Sequence, residues 1–283
     1  MNCNFYKYHA LGNDYIVIDP NKIIINLSVE AIKLICHRHF GVGSDGILYG
    51  PIMENGVINL KIFNPDGSEA EKSGNGIRIF SRYLVEQGYV VEKKFRLKTL
   101  GGEVAVEVLD EQGKLLQVDM GTVTFNSELI PVKGSKREVI NENLYLDGQN
   151  YQITCLSVGN PHCVIPMSEI SPELATALGP KVENNELFPN RINLQLLKVT
   201  DRSNISIEIW ERGAGYTLAS GSSSCAAAGA AYKLGLVDEE LTVHMPGGDI
   251  NIQIKKDGHV FMTGPVASVA SGNFTRDLWD KMK

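Results

Sequence analysis

Two serines 147 residues apart, Ser73 and Ser220, each stand nine residues after a polar anchor, Asn64 in one case and Glu211 in the other. Each is followed by glycine and then by a helical pattern: Gly74-Asn75-Gly76 leads into 77–84, and Gly221-Ser222-Ser223 leads into 225–234. The first N–H groups of a helix have no intrahelical acceptor and lie at the positive end of its dipole, so such a start attracts anions. Two of them aimed at one point would hold a carboxylate, with Ser73 and Ser220 flanking it. Further polar clusters fall in turns: Leu11-Gly12-Asn13-Asp14, Gly159-Asn160-Pro161-His162 and Asn190-Arg191-Ile192-Asn193. One asparagine in a turn commonly just caps the backbone. Four asparagines with Glu211 and Arg212 at strand ends read as a pocket. An amide offers donor and acceptor, and Arg with Glu can hold a carboxylate and an ammonium, which suits a zwitterionic amino acid.

The elements that must position these residues are short and mostly β. Alternating or β-branched character predicts strands over 5–8, 14–19, 46–50, 57–63, 95–99, 102–109 and 115–120. A second series follows over 150–158, 163–166, 192–199, 203–210, 241–244, 250–255 and 259–264. Helices are predicted over 29–38, with Ser28 as cap, and over 75–87, 173–178 and 222–234. The repeated motif opens the longer helix of each half. The stretch 121–131 breaks the pattern and is the expected crossover, which gives halves 1–125 and 126–283 of a mixed α/β (α+β) protein.

Bulk properties set the frame. With 43% apolar and 21% charged residues, the chain is expected to be an ordinary globular protein. A net charge of −6 with scattered Lys and Arg gives no basic stripe, so no nucleic-acid partner is expected. No apolar run reaches the roughly 18 residues of a membrane span, and the first residues lack a signal-peptide core, so a cytoplasmic protein with no membrane partner is expected. Five cysteines, at 3, 36, 155, 163 and 225, lack C-x-x-C spacing, which predicts buried thiols rather than disulfides or a metal site. His9, His37 and His39 fall in no chemical motif and are expected to be structural.

Taken together, Leu11-Gly-Asn13-Asp, Asn64-Pro-Asp-Gly-Ser68, Ser73-Gly-Asn-Gly76, Gly159-Asn-Pro-His162, Asn193, and Glu211-Arg-Gly-Ala-Gly215 through Cys225-Ala-Ala-Ala resemble the motifs of the diaminopimelate epimerase family. They occur in the family's order from residue 11 to about 235. The resemblance implies a cofactor-independent amino-acid epimerase of two pseudo-symmetric halves, each a β-barrel-like sheet around a central helix, with the active site between them. It also implies a small-molecule amino-acid substrate, inversion of LL-diaminopimelate to the meso form, a place in lysine biosynthesis, and a homodimer.

In that family a cysteine in each half does the chemistry, one removing the α-proton and the other delivering a proton to the opposite face. Here Ser73 and Ser220 occupy both positions. A thiol pKa near about 8.5 can fall to roughly 3.5–7.5 at a helix N-terminus or beside a cation. A hydroxyl starts far higher, and dipole effects of about 0.3–2 kcal/mol leave it a very poor base. Two accounts follow. Both cysteines were replaced, so that substrate is captured without turnover; or the serines are native and the protein is a binding protein or a dehydratase-like enzyme. Retention of the rest of the pocket favours the first.

The other roles are carried over from the resemblance. Backbone N–H groups at Gly74-Asn75 and Gly221-Ser222 would hold the α-carboxylate. Asn13, Asn64, Asn160, Asn193, Glu211 and Arg212 would grip the amino groups and the distal carboxylate, and His162 with Glu211 would help move a proton on and off one thiol. Two departures bear on substrate: Tyr216 replaces the glutamate of Glu-Arg-Gly-x-Gly-Glu-Thr, and Gly46 stands where some members have glutamine. The tyrosine opens an alternative within the class, a racemase or epimerase acting on histidine or lanthionine.

Overall fold

The computed structural model describes residues 5–282. The chain divides into two compact units, one running to Val118 and including the segment from Gly264, the other spanning Asp119–Thr263. A single division at residue 125 therefore needs correction at its far end. The chain returns to the first unit because strand β18 (Ala267–Gly272) pairs with the first described strand, β1 (Phe5–Ala10).

In the first unit β1 and β2 (Asn13–Ile18) form a hairpin. Its turn holds Leu11 at φ 55° and Gly12 at φ 88°, which leaves Asn13 at the start of the second strand. Helix α1 (Val29–Cys36), capped by Ser28, carries the chain to β3 (Ile47–Glu54), which lies parallel to β2. Strand β4 (Val57–Phe63) returns antiparallel, followed by the two-residue β5 (Glu69–Ala70) and helix α2 (Gly74–Glu86). Strand β6 (Lys94–Thr99) lies parallel to β4, and β7 (Gly102–Val108) and β8 (Leu115–Thr122) complete a meander.

The second unit repeats this plan. Strand β9 (Glu142–Leu146) borders β10 (Gln149–Ser157), which forms a hairpin with β11 (Pro161–Pro166). Helix α3 (Pro172–Glu183) leads to β12 (Asn193–Asp201), parallel to β11, and then to antiparallel β13 (Asn204–Glu211). The short β14 (Gly215–Thr217), helix α4 (Gly221–Lys233), β15 (Glu240–Met245) parallel to β13, and the meander β16 (Gly248–Ile254) and β17 (His259–Pro265) follow. Apart from the bordering strands, β18 from the end of the chain in one unit and β9 just before β10 in the other, the two units share one pairing order.

Each unit buries its longer helix among its own strands. In α2 every residue from Gly74 to Leu84 is buried, with Ile77, Phe80, Tyr83 and Leu84 filling the core. Helix α4 uses alanines instead: Ala226, Ala227, Ala228, Ala230 and Ala231 are fully buried against β10, β11, β12, β13, β15 and β16. The expected fold class, a mixed α/β protein of two like halves with central helices, agrees with this arrangement.

Differences in element length have local causes. The expected helix 29–38 stops at Cys36 because His37 is extended, with ψ 120°. The expected helix 173–178 continues to Glu183 despite the internal Pro180. Gly179 packs directly on the Trp210 ring and Trp210 Nε1 donates to Glu183 at 2.7 Å, so tertiary packing overrides the proline. Strands β5 and β14 are too short to show a period, and the six-residue helix α5 (Arg276–Lys281) buries no residue. Cys36, Cys155, Cys163 and Cys225 are buried free thiols, as expected; Cys3 lies outside the described residues. Among the described residues no helix is long and apolar enough to cross a membrane.

Candidate active site

Helices α2 and α4 begin alike. Ser73 caps α2 with φ −136° and ψ 116°, and Ser220 caps α4 with φ −146° and ψ 125°. Ser73 Oγ accepts from the Gly76 N–H at 3.1 Å, and Ser220 Oγ from the Ser223 N–H at 3.4 Å. The next two residues, Gly74-Asn75 and Gly221-Ser222, occupy the first turn, where N–H groups point beyond the helix end. The caps thus set a hydroxyl beside two outward-facing amides in each unit.

Around Ser73 the first unit gathers Tyr15, Asn13 and Asn75. The Tyr15 hydroxyl lies 3.2 Å from Ser73 Oγ. Asn75 donates to Asn13 Oδ1 at 3.0 Å, and Asn13 in turn donates to Asp45 at 3.0 Å. The orientation of Asn75 is set from below, where the fully buried Arg78 guanidinium donates to Asn75 Oδ1 at 2.9 Å. Arg38 pairs with Asp14 at 2.8 Å and Asp45 at 2.6 Å, and Lys7 with Asp14 at 2.8 Å. Burial alone would raise the Asp14 carboxyl, but the bonds from Arg38 and Lys7 outweigh it and hold the group below the usual range. Asn64 stands apart from this network: its amide donates to Ser68 Oγ at 3.0 Å and braces its own turn.

The second unit gathers Asn160, His162, Gln195 and the serines of α4. Asn160 Nδ2 lies 3.4 Å from Ser222 Oγ, which is 3.5 Å from Ser220 Oγ. Asn160 Oδ1 lies 2.9 Å from His162 Nε2, and His162 Nδ1 lies 3.3 Å from Gln195 Oε1. Gln195 completes the set by donating to Ser223 Oγ at 3.0 Å. His162 is fully buried, and burial pulls its pKa down to about 3; Gln195 opposes the shift and the Arg212 charge adds to it.

Three further predicted residues meet at one turn of the same unit. Asn193 donates to the Pro161 carbonyl at 2.7 Å and accepts the Arg212 N–H at 2.8 Å. The Arg212 side chain is exposed and donates to the Asn190 carbonyl at 3.0 Å. Glu211 accepts from the Thr217 hydroxyl at 3.2 Å, and His162 lies between Asn160 and Gln195.

Sequence reasoning missed Tyr15, Gln195, Arg78 and Asp45. Tyr15 was within reach of the 147-residue offset, which pairs it with His162 just as it pairs Asn13 with Asn160, Asn64 with Glu211 and Asn75 with Ser222. Gln195 carries a different signal, a fully buried amide inside the apolar run of β12. His9 and His37 accept backbone N–H groups in turns, as expected of structural histidines.

The two departures on substrate choice have structural explanations. Tyr216 sends its hydroxyl to Glu208 at 2.7 Å and packs on the apolar core of its unit, on the opposite face of β14 from Thr217 and Glu211. Gly46 is required by its surroundings, since a Cβ there would stand 2.5 Å from the Phe63 carbonyl and 2.7 Å from the Tyr15 ring.

Residues 5–126 and 154–269 match the model of the diaminopimelate epimerase family. The chain is similar to diaminopimelate epimerase 2 of Nostoc sp. (strain PCC 7120), with 56% identity over 276 residues covering 97% of this chain and 96% of that protein. It is 38% identical over 279 residues to the diaminopimelate epimerase of Moorella thermoacetica, covering 97% of this chain and all of that one. In fold it resembles a probable proline racemase from Agrobacterium radiobacter K84, with TM-score 0.70, 12% identity, and coverage of 98% of this chain and 94% of the other. A phenazine biosynthesis protein of the PhzF family from Bacillus anthracis is also similar, with TM-score 0.67, 15% identity, and coverage of 95% and 97%.

Proposed function

The chain belongs to the diaminopimelate epimerase family, and from that premise we propose that positions 73 and 220 are the two proton-transfer positions of a cofactor-independent epimerisation of LL-diaminopimelate to the meso form. With serine at both positions, the chain binds this substrate and does not invert it. The observation that carries the reading is the matched pair of capped helices, because a two-base inversion needs two equivalent groups and two equivalent carboxylate-binding ends.

The roles divide accordingly. Gly74-Asn75 and Gly221-Ser222 hold the reacting α-carboxylate through backbone N–H groups. Asn13, Asn64, Asn160, Asn193, Glu211 and Arg212 grip the ammonium groups and the distal carboxylate. A proton α to a carboxylate is only weakly acidic, so a base of thiolate type must be in place to remove it; a hydroxyl at the same cap remains protonated at neutral pH. The Tyr216 ring packs on the core of its unit with its hydroxyl on Glu208, so it leaves Thr217 and Glu211 clear and is compatible with diaminopimelate as the substrate.

Calorimetric titration of the chain with LL-diaminopimelate, L-histidine and lanthionine tests this assignment. Binding of the diaminopimelate alone is expected. Binding of histidine or lanthionine in its place would move the substrate, and binding of none would refute the reading.

A further inference from the structure

His162 sits between two amide side chains, and its two ring nitrogens both face amide oxygens, Gln195 Oε1 and Asn160 Oδ1. A neutral imidazole has one N–H and one lone pair, so this arrangement suits the imidazolium. Burial acts the other way and favours the neutral ring. One amide must therefore turn when the proton leaves. Gln195 is fully buried and anchored on Ser223 Oγ, whereas Asn160 is half-buried and faces Ser222 Oγ, a hydroxyl able to donate or accept. His162 pairs in the sheet with Leu156 of β10 and Asn193 of β12, its ring meets Gln195 and Asn160, and the α4 serines are reached through those amides; the charge that bears on it is Arg212.

We propose that Gln195 and Ser222 are positioning residues for the reaction at position 220, and that the Asn160 amide turns over with the proton on His162. With His162 neutral, Nδ1–H donates to Gln195, Asn160 Nδ2 donates to Nε2, and the Ser222 hydroxyl donates to Asn160 Oδ1. With a proton on Nε2, that N–H donates to Asn160 Oδ1, Asn160 Nδ2 donates to Ser222 Oγ, and the Ser222 hydroxyl hydrogen turns toward the group at 220. One proton gained at Nε2 reverses both links, and no other atom gains or loses one. An anion at position 220 then receives a hydrogen bond when His162 is charged, which couples loss of a proton at 220 to its gain at 162. The first unit lacks this freedom. Asn75, the counterpart of Ser222, has no hydroxyl and is pinned by Arg78.

The second half of this inference rests on the proton-transfer role of position 220; the first half does not. Histidine-selective 15N NMR of the unliganded chain between about pH 4 and 8 reads the His162 tautomer directly. A pyrrole-type Nδ1 with a pyridine-type Nε2 is expected, and loss of that preference in Gln195→Leu. A neutral ring protonated at Nε2 in the unsubstituted chain overturns the inference, whatever the substrate and even if Gln195→Leu fails to fold. In Ser220→Cys, the pH dependence of alkylation by iodoacetamide reads the thiol at 220. A thiolate at 220 passes its lost proton to His162 and so turns the Ser222 hydroxyl toward itself; adding Ser222→Ala should therefore cut the rate at neutral pH about threefold to tenfold, the worth of one ordinary hydrogen bond, and Ser222→Thr should restore it. An unchanged rate in Ser222→Ala contradicts the relay.

Discussion

Gly46 and Tyr15 occupy their places jointly: the Tyr15 ring fills the space a side chain at 46 would need, and its hydroxyl lies 3.2 Å from Ser73 Oγ. The close approach of Gly46 to the Phe63 carbonyl adds a rigid backbone barrier to the flexible one. Gly46→Ala should therefore destabilise the chain by about 1–3 kcal/mol, the cost of overpacking a closed core, measurable by urea denaturation. In a double-mutant cycle, removing the ring with Tyr15→Leu should not relieve this loss, because the nearest obstacle is the backbone. Full rescue would show that the ring alone sets the constraint.

The two caps have near-identical geometry, so their removal should cost alike. Ser73→Ala and Ser220→Ala are each expected to lower unfolding free energy by about 0.5–2 kcal/mol, and Gly at either site by only a few tenths. Equilibrium unfolding of the four variants checks this. A large cost at one cap and none at the other would break the equivalence drawn between the units.

Burial of His162 gives stability a pH signature. Its folded pKa of about 3 lies below the usual value near about 6.5, so the unfolded chain takes up the proton first. The contribution is present above about pH 6.5 and is lost as pH falls toward about 3. His162→Gln should flatten this acid limb in a series of urea midpoints. An unchanged slope would mean that His162 titrates normally.

Tyr216 is read as a structural partner of Glu208 rather than a specificity residue. Tyr216→Phe should cost about 0.5–1.5 kcal/mol in stability and leave the preference among diaminopimelate, histidine and lanthionine unchanged in titration calorimetry. A switch in preference would return Tyr216 to the binding surface.

Much of this architecture was legible in the residues. Gly, Asn, Asp and Ser carry strong turn and cap preferences, so the 147-residue offset survived in the positions where conformation demands those types, and it located both central helices to within a residue. Side-chain networks were less visible. Nothing local to Asp45 announces that it orients Asn13, 32 residues away, and Arg78 reads as an ordinary helix charge until α2 is buried and its guanidinium turns to Asn75 one turn earlier. Long-range pairing was equally hidden: β18 has the composition of a loop and becomes a strand because β1 offers it a partner. The continuation of α3 through Pro180 likewise depends on Trp210, a residue of another strand.

The central claim is that positions 73 and 220 are proton-transfer positions which serine leaves idle. Restoring thiols with Ser73→Cys and Ser220→Cys together, and following α-proton exchange of LL-diaminopimelate in deuterated water by NMR, tests it most directly. Exchange and inversion in the double variant, with neither in the unsubstituted chain, is the predicted result. Exchange in the unsubstituted chain at a comparable rate, or none in the double variant that still binds substrate, would contradict the account.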